Sequence, residues 1–234
     1  MERDPLLRTE NANQGVPGLD SEWFREHSKR SHRAIIGVAI ATGFCVLMFF
    51  HEMEMIAFLK SLRWDMNPDT DYAEQLDAYA ATIATGYLVS LLIGGIFFIR
   101  WLHHLHLRLR KIQEVPWGEQ QAIWSWIVPF LNLYRPVQIV RRSFQAMVPA
   151  AKQGGTDTLI VFWWVCFVAY YGISRMASRI SRPFDPDPEL EELIKSTVLD
   201  HIGTAVFTVC GLLCIWMIDQ LRRKIIPPSP EAIA

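Results

Sequence analysis

Histidines and carboxylates occur together at two points of the sequence, and these residue types could bind a metal ion or a haem group. His51 is followed by Glu52 and Glu54, and Asp200 precedes His201. His51 and Glu54 share one face of a helix because they are three residues apart. Two histidines on facing helices could supply the axial ligands of a haem. The alternative interpretation is that these residues end helices at a membrane–water boundary.

A second group of histidines lies in the stretch HHLHLRLRK, which begins at His103. His103 and His106 could face a metal ion together, since residues three apart lie on the same helix face. Three basic residues follow in the same stretch: Arg108, Arg110 and Lys111. The simpler interpretation is a basic helix next to the membrane, whose charges attract anionic lipid.

Four long apolar blocks lie in the sequence, and the histidines and carboxylates described above are in them or at their ends. Hydrophobic residues make up 51% of the 234-residue chain, and they are concentrated in four stretches. A bilayer core about 30 Å thick is crossed by about 20 helical residues. Backbone groups in lipid must bond within their own segment, which favours helices. The sequence therefore predicts an all-α integral membrane four-helix bundle, with spans at about 34–58, 78–101, 158–177 and 200–221.

The distribution of charge predicts the orientation of these spans. Basic residues cluster before the first span, after the second and after the fourth, whereas the other two loops are largely acidic. Inner loops of membrane proteins carry an excess of Lys and Arg. We therefore expect both termini to be cytoplasmic, or on the equivalent inner side. Three parts are expected: a flexible tail with a short basic helix (1–33), the membrane domain (34–224) and a C-terminal tail (225–234).

The stretch AIWSWIVPFLNLYRPVQIVRR interrupts this pattern between the second and third spans. Its uncharged part is too short for a full crossing. Pro129 and Pro136 each lack a backbone donor, so a continuous helix is disfavoured. We predict a Pro-broken interfacial or re-entrant segment over residues 121–147 that packs against the bundle. Asn132 is expected to bond backbone groups that the prolines leave free.

Four residues of this segment form a spaced motif: Trp126, Pro129, Asn132 and Pro136. The pattern W-x-x-P-x-x-N-x-x-x-P resembles the signature of a mostly bacterial membrane family, domain of unknown function 4328. Paired tryptophans opening the third span and a basic run after the fourth agree with this resemblance, over roughly residues 34–224. The resemblance implies a multi-span membrane domain and no established reaction. We expect the motif to have a structural role.

The sequence contains no Gly-rich phosphate loop, G-x-S-x-G or H-E-x-x-H motif. We expect a multi-pass membrane protein of unknown activity, most simply a non-catalytic accessory or scaffold subunit of a larger membrane complex. One alternative is a haem- or metal-binding protein using His51 and His201. The other is a passive channel or a transporter of lipids or small solutes.

The expected partners are the lipid bilayer and other membrane subunits. With a net charge of -1, the chain is not expected to bind nucleic acid. Haem or a metal is expected only under the alternative with His51, Glu54 and His201. Anionic headgroups at the inner face are expected to contact six basic side chains: Arg108, Arg110, Lys111, Arg135, Arg141 and Arg142.

Overall fold

The computed structural model describes residues 21–64, 69–132, 134–180 and 189–225. Seven α-helices lie in these residues. In chain order they are α1 (Ser21–Ser61), α2 (Thr70–Ile112), α3 (Gln121–Ile127), α4 (Pro129–Asn132), α5 (Arg135–Met147), α6 (Thr156–Ile180) and α7 (Leu190–Lys224). A short 3-10 helix, Ala150–Lys152, precedes α6. The described part of the chain contains no strand.

The four long helices α1, α2, α6 and α7 are each long and apolar enough to cross a membrane. The prediction of an all-α bundle with four membrane-crossing helices is confirmed. All four extend past the predicted spans, because polar residues continue the helices beyond the apolar blocks. The predicted tails at residues 1–20 and 226–234 lie outside the described residues.

The basic segment before the first span belongs to α1 itself. The helix begins at Ser21 and runs without a break into the apolar block. Arg30 pairs with Glu26 one turn earlier at 2.7 Å. Ser31 accepts a hydrogen bond from Trp101 Nε1 of α2 at 3.1 Å, which ties this extension to the neighbouring helix. The predicted short basic helix is therefore continuous with the first membrane-crossing helix and packs against α2.

The long helices alternate in direction and pack around a shared centre. α1 packs along both α2 and α7, and α7 packs along α6. Gly37 of α1 and Gly94 of α2 allow a close crossing, since small residues let helices approach closely in lipid. A Cβ atom on Gly94 would lie only 2.8 Å from the carbonyl oxygen of Gly37.

The two ends of the bundle differ in charge, and we name them accordingly. The basic end holds the start of α1, the ends of α2 and α7, and the segment from α3 to α5. The acidic end holds the end of α1 and the start of α7, joined by an ion pair between Arg63 and Glu191. At the basic end, α5 lies between α2 and α6 and contacts both.

Segment 121–147 is broken at its prolines, as predicted. α3 ends at Ile127, and α4 begins at Pro129. Tyr134, with φ of −142°, separates α4 from α5. Pro136 lies in the first turn of α5, where a missing N–H group removes no intrahelical bond. One face of α5 is buried in the bundle: Ile139, Val140, Phe144 and Met147.

Candidate functional site

A polar cavity of about 230 Å³ lies inside the bundle toward the acidic end. All four long helices contribute to its wall. The residues that give the cavity its character are two carboxylates, two tyrosines, a threonine and a phenylalanine: Glu52, Asp200, Tyr87, Tyr170, Thr204 and Phe207. The cavity combines negative charge with aromatic surface.

Glu52 of α1 is the carboxylate held most firmly in this cavity. Its Oε1 accepts a hydrogen bond from Thr204 Oγ1 at 2.9 Å. Its Oε2 lies 3.5 Å from His201 Nδ1, and neither atom has a hydrogen-bond partner among the described residues. The Glu52 side chain is only 13% exposed. Because a largely buried charge without a counter-charge is costly, the ionised carboxylate favours a cation beside it.

Asp200 adds a second acid to the same cavity. It lies on α7, one turn before Thr204, and it is exposed. The cavity therefore opens beside Asp200. None of the described residues that line the cavity is a lysine or an arginine. When both carboxylates are ionised, the lining carries a net negative charge.

Aromatic rings form another part of the wall. The rings of Tyr170 and Phe207 lie 4.4 Å apart, and those of Tyr87 and Phe207 lie 6.2 Å apart. The side chain of Tyr87 interacts with those of Tyr170 and Cys45. This contact links α2 to α6 and α1. The faces of such rings attract cations.

Sequence reasoning named Glu52 and Asp200 but missed the tyrosines, Thr204 and Phe207. A helical spacing could have found part of this group. Asp200, Gly203, Thr204 and Phe207 follow the spacing i, i+3, i+4, i+7, which places them on one face of α7. Nothing in that pattern shows which face of α1 or α2 would meet it.

The predicted metal or haem ligands have different neighbours in the structure. His51 is buried against Tyr79 of α2, with ring centroids 5.9 Å apart. His201 reaches Glu52, and Glu54 is exposed. In the ranges that the structure describes, no group of three His, Cys, Asp or Glu residues could hold a metal ion. The haem or metal hypothesis stays a prediction.

An apolar groove of about 120 Å³ lies next to the polar cavity, on its side toward the basic end. The two spaces share Phe207. Trp126 of α3 enters the space between α2 and α6 beside this groove. Its ring lies 5.6 Å from Phe98 of α2, and 6.3 Å and 5.8 Å from Trp164 and Phe167 of α6. The motif tryptophan therefore packs against both α2 and α6 in the space between them.

Of the other motif residues, the two prolines have backbone roles. The contacts of Asn132 reveal no role. Pro129 starts α4 and Pro136 lies in the first turn of α5. Asn132 Oδ1 is buried without a hydrogen-bond partner. The expectation that Asn132 bonds backbone groups left free by the prolines stays a prediction.

Residues 65–223 match the family described as Domain of unknown function (DUF4328). The matched range covers more than half of the 234-residue chain. The chain belongs to this family. The DUF4328 match begins at residue 65, whereas the motif resemblance was expected to extend from about residue 34. α1, which contributes Glu52, therefore lies before the matched range. No curated protein and no solved structure matches the chain significantly.

In this DUF4328 protein, the basic end uses several of the predicted lipid-contacting arginines within the fold. Arg135 and Arg142 lie over the ring of Trp117, with their guanidinium carbons 4.4 Å and 4.7 Å from its centroid. Arg141 donates two hydrogen bonds, of 2.6 Å and 2.7 Å, to Asp157 of α6. These bonds raise the pKa of Arg141.

The basic residues at the end of α2 are arranged in a similar way. Arg110 pairs with Glu119 at 3.1 Å. Arg108 is 6% exposed and lies over the ring of Trp23 at 5.6 Å. Lys111 is exposed. Headgroup contact stays a prediction for all six basic residues.

Proposed function

We propose that this DUF4328 protein is a non-catalytic membrane protein that binds a small, positively charged solute in the polar cavity. The observation that carries the proposal is Glu52, a carboxylate buried among the four long helices, whose Oε2 lacks a hydrogen-bond partner among the described residues. Asp200 supports it by adding a second negative charge at the opening of the cavity.

Charge attraction, aromatic contact and the volume of the cavity all favour an organic cation as the ligand. Opposite unit charges 4 Å apart attract by about 4 kcal/mol at an effective dielectric constant of 20. A cation over an aromatic face adds about 0.5–2 kcal/mol, and Tyr170 and Phe207 supply such faces. Because each water occupies only about 30 Å³ of liquid volume, a cavity of about 230 Å³ has room for several waters. A small quaternary ammonium ion can take their place.

Substitution of Glu52 by glutamine is expected to weaken binding of tetramethylammonium about 30-fold or more, since a buried charge pair is lost. The amide keeps the size of the side chain and can still accept from Thr204. Binding is measured by calorimetry on protein in lipid nanodiscs. Glu54→Gln is the matched control, because Glu54 is an exposed acid on the same helix. Equal losses in the two variants, or no binding to the unaltered protein, would contradict the proposal.

An accessory or scaffold subunit of a membrane complex is a second candidate function, supported by the outer surface of the bundle. Gly43 of α1 and Gly172 of α6 are exposed, with no atom within 4 Å of where a Cβ would lie. Small residues let a helix of another subunit approach closely. Native mass spectrometry after mild-detergent purification is expected to find a stoichiometric membrane partner. A lone monomer or homo-oligomer would remove this candidate.

We also propose that the basic end faces the inner side of the membrane, so that both termini lie inside. The proposal is supported by the excess of Lys and Arg at that end. A cysteine replacing Gly118 is expected to react with an impermeant thiol reagent only from the inner side, and one replacing Thr70 only from the outer side. Both positions are exposed. The unaltered protein controls for the native cysteines, and the reverse pattern would overturn the orientation.

A further inference from the structure

The polar cavity and the apolar groove lie next to each other along α7 and share the wall residue Phe207. Glu52 and Asp200 line the polar cavity. Beyond Phe207 the wall is made of carbon-rich side chains, among them Phe98, Trp126, Trp163 and Phe167. A ligand that matched both parts would have a charged head and a hydrocarbon chain.

Two polar side chains of the groove wall are bonded within the fold. Thr42 Oγ1 donates to the carbonyl of Val38 at 2.8 Å. Cys210 Sγ donates to the carbonyl of Trp163 at 3.6 Å. The rest of the wall is largely apolar, and apolar cavities stay dry and bind apolar molecules. Hydrocarbon is therefore a better occupant of the groove than water.

The groove is reached from the side of the bundle between α2 and α6. These two helices approach less closely than the directly packed pairs, and Leu91 and Gly95 of α2 and Phe167 of α6 are half-buried at this side of the groove. Tyr87 and Tyr170 bridge the gap toward the acidic end. A molecule dissolved in the bilayer could enter between this bridge and Trp126.

We infer that the ligand is a single-chain amphiphile with an ammonium head, held with its head beside Glu52 and Asp200 and its chain in the groove. This inference rests on the proposed function and adds the chemical class of the ligand. The negative lining selects a cationic head over a neutral or an anionic one. The lateral opening selects a ligand from the bilayer over a water-soluble one.

The test uses an alkyltrimethylammonium with a brominated chain, added to the full-length protein in nanodiscs. Bromine quenches nearby tryptophans, and Trp126 and Trp163 line the groove. We expect a saturable quenching component that tetramethylammonium displaces. Glu52→Gln should remove it, because the head loses its counter-charge. A brominated alcohol of the same chain length should give only the non-saturable quenching that comes from lipid.

Gly95→Leu tests the chain position separately. A side chain at Gly95 meets no atom within 4 Å at Cβ, so leucine fills the groove without a backbone clash. We expect the saturable component to become at least about tenfold weaker, a loss of about 1.4 kcal/mol, while tetramethylammonium binding is retained. Retained binding also shows that the variant folds. Gly43→Leu, at an exposed and equally open glycine, is the matched control and should change neither.

The outcomes separate the two proposals. Tetramethylammonium binding without a saturable quenching component would overturn the inference and leave the proposed function standing. Saturable quenching that Gly95→Leu does not change would place the chain elsewhere and also overturn it. Equal quenching by the brominated alcohol would refute selection by the charged head. Absence of binding by both cations would overturn both proposals.

Discussion

Replacement of Gly94 with alanine is expected to destabilise the bundle by about 1–3 kcal/mol, the usual cost of forcing extra atoms into a packed interface. The new Cβ would lie 2.8 Å from the carbonyl oxygen and 2.9 Å from the carbonyl carbon of Gly37. These are backbone atoms, which cannot rotate away as a side chain would. α1 and α2 would have to move apart, and their packing would loosen on both sides of the crossing.

The adjacent glycine provides a matched control for this prediction. A Cβ on Gly95 meets no atom within 4 Å, so Gly95→Ala adds a methyl group without a clash. Alanine also favours the helix over glycine by up to about 1 kcal/mol in soluble helices. Thermal unfolding of both variants in the same detergent tests the difference. If Gly94→Ala unfolds at the same temperature as Gly95→Ala, the close crossing does not contribute as described.

Replacement of Trp126 with alanine is expected to cost about 3 kcal/mol of stability, as is typical when a large aromatic side chain is removed from a packed site. Three ring contacts, to Phe98, Trp164 and Phe167, would be lost together. The space between α2 and α6 would then no longer be occupied by an aromatic ring of α3. Because one variant removes contacts with both helices, the loss should exceed that of an ordinary surface substitution.

Trp124→Ala is the control for Trp126, since both residues lie on α3. Trp124 is 47% exposed, and its Nε1 donates to Gln120 of the same segment at 3.2 Å. Trp126→Phe should lose much less stability than Trp126→Ala, because the indole Nε1 has no hydrogen-bond partner among the described residues. Denaturation in mixed micelles measures all three. Similar losses for Trp124→Ala and Trp126→Ala would refute a special role for the motif tryptophan.

The amino-acid sequence by itself determined the class of the fold and its main interruption. Apolar blocks of about 20 residues predict helices, because lipid offers no partner for free backbone groups. Pro129 and Pro136 predicted the break in segment 121–147, because each proline removes a backbone donor wherever it lies. The motif around Trp126 indicated the family. These features are local, so they do not depend on how the helices pack.

Helix length beyond the apolar blocks was harder to predict. The sequence predicted a short basic helix before the first span but not that it continues into that span or that Ser31 accepts a hydrogen bond from Trp101 of α2. The arginines of the basic end posed a similar problem. Charge alone indicated lipid contact for Arg135 and Arg142, whereas Trp117 lies between them in the fold.

Only the tertiary structure decided which residues form the cavity. Glu52 and Thr204 bond to each other across 152 positions of the chain. The sequence does not show which face of a membrane-crossing helix turns inward, because lipid and the protein interior are equally apolar. Hydrophobic periodicity, which marks the inner face of a soluble helix, is therefore weak here. The rotation of each helix is set by contacts such as the Gly37–Gly94 crossing, and that rotation brings the acids and the aromatic rings together.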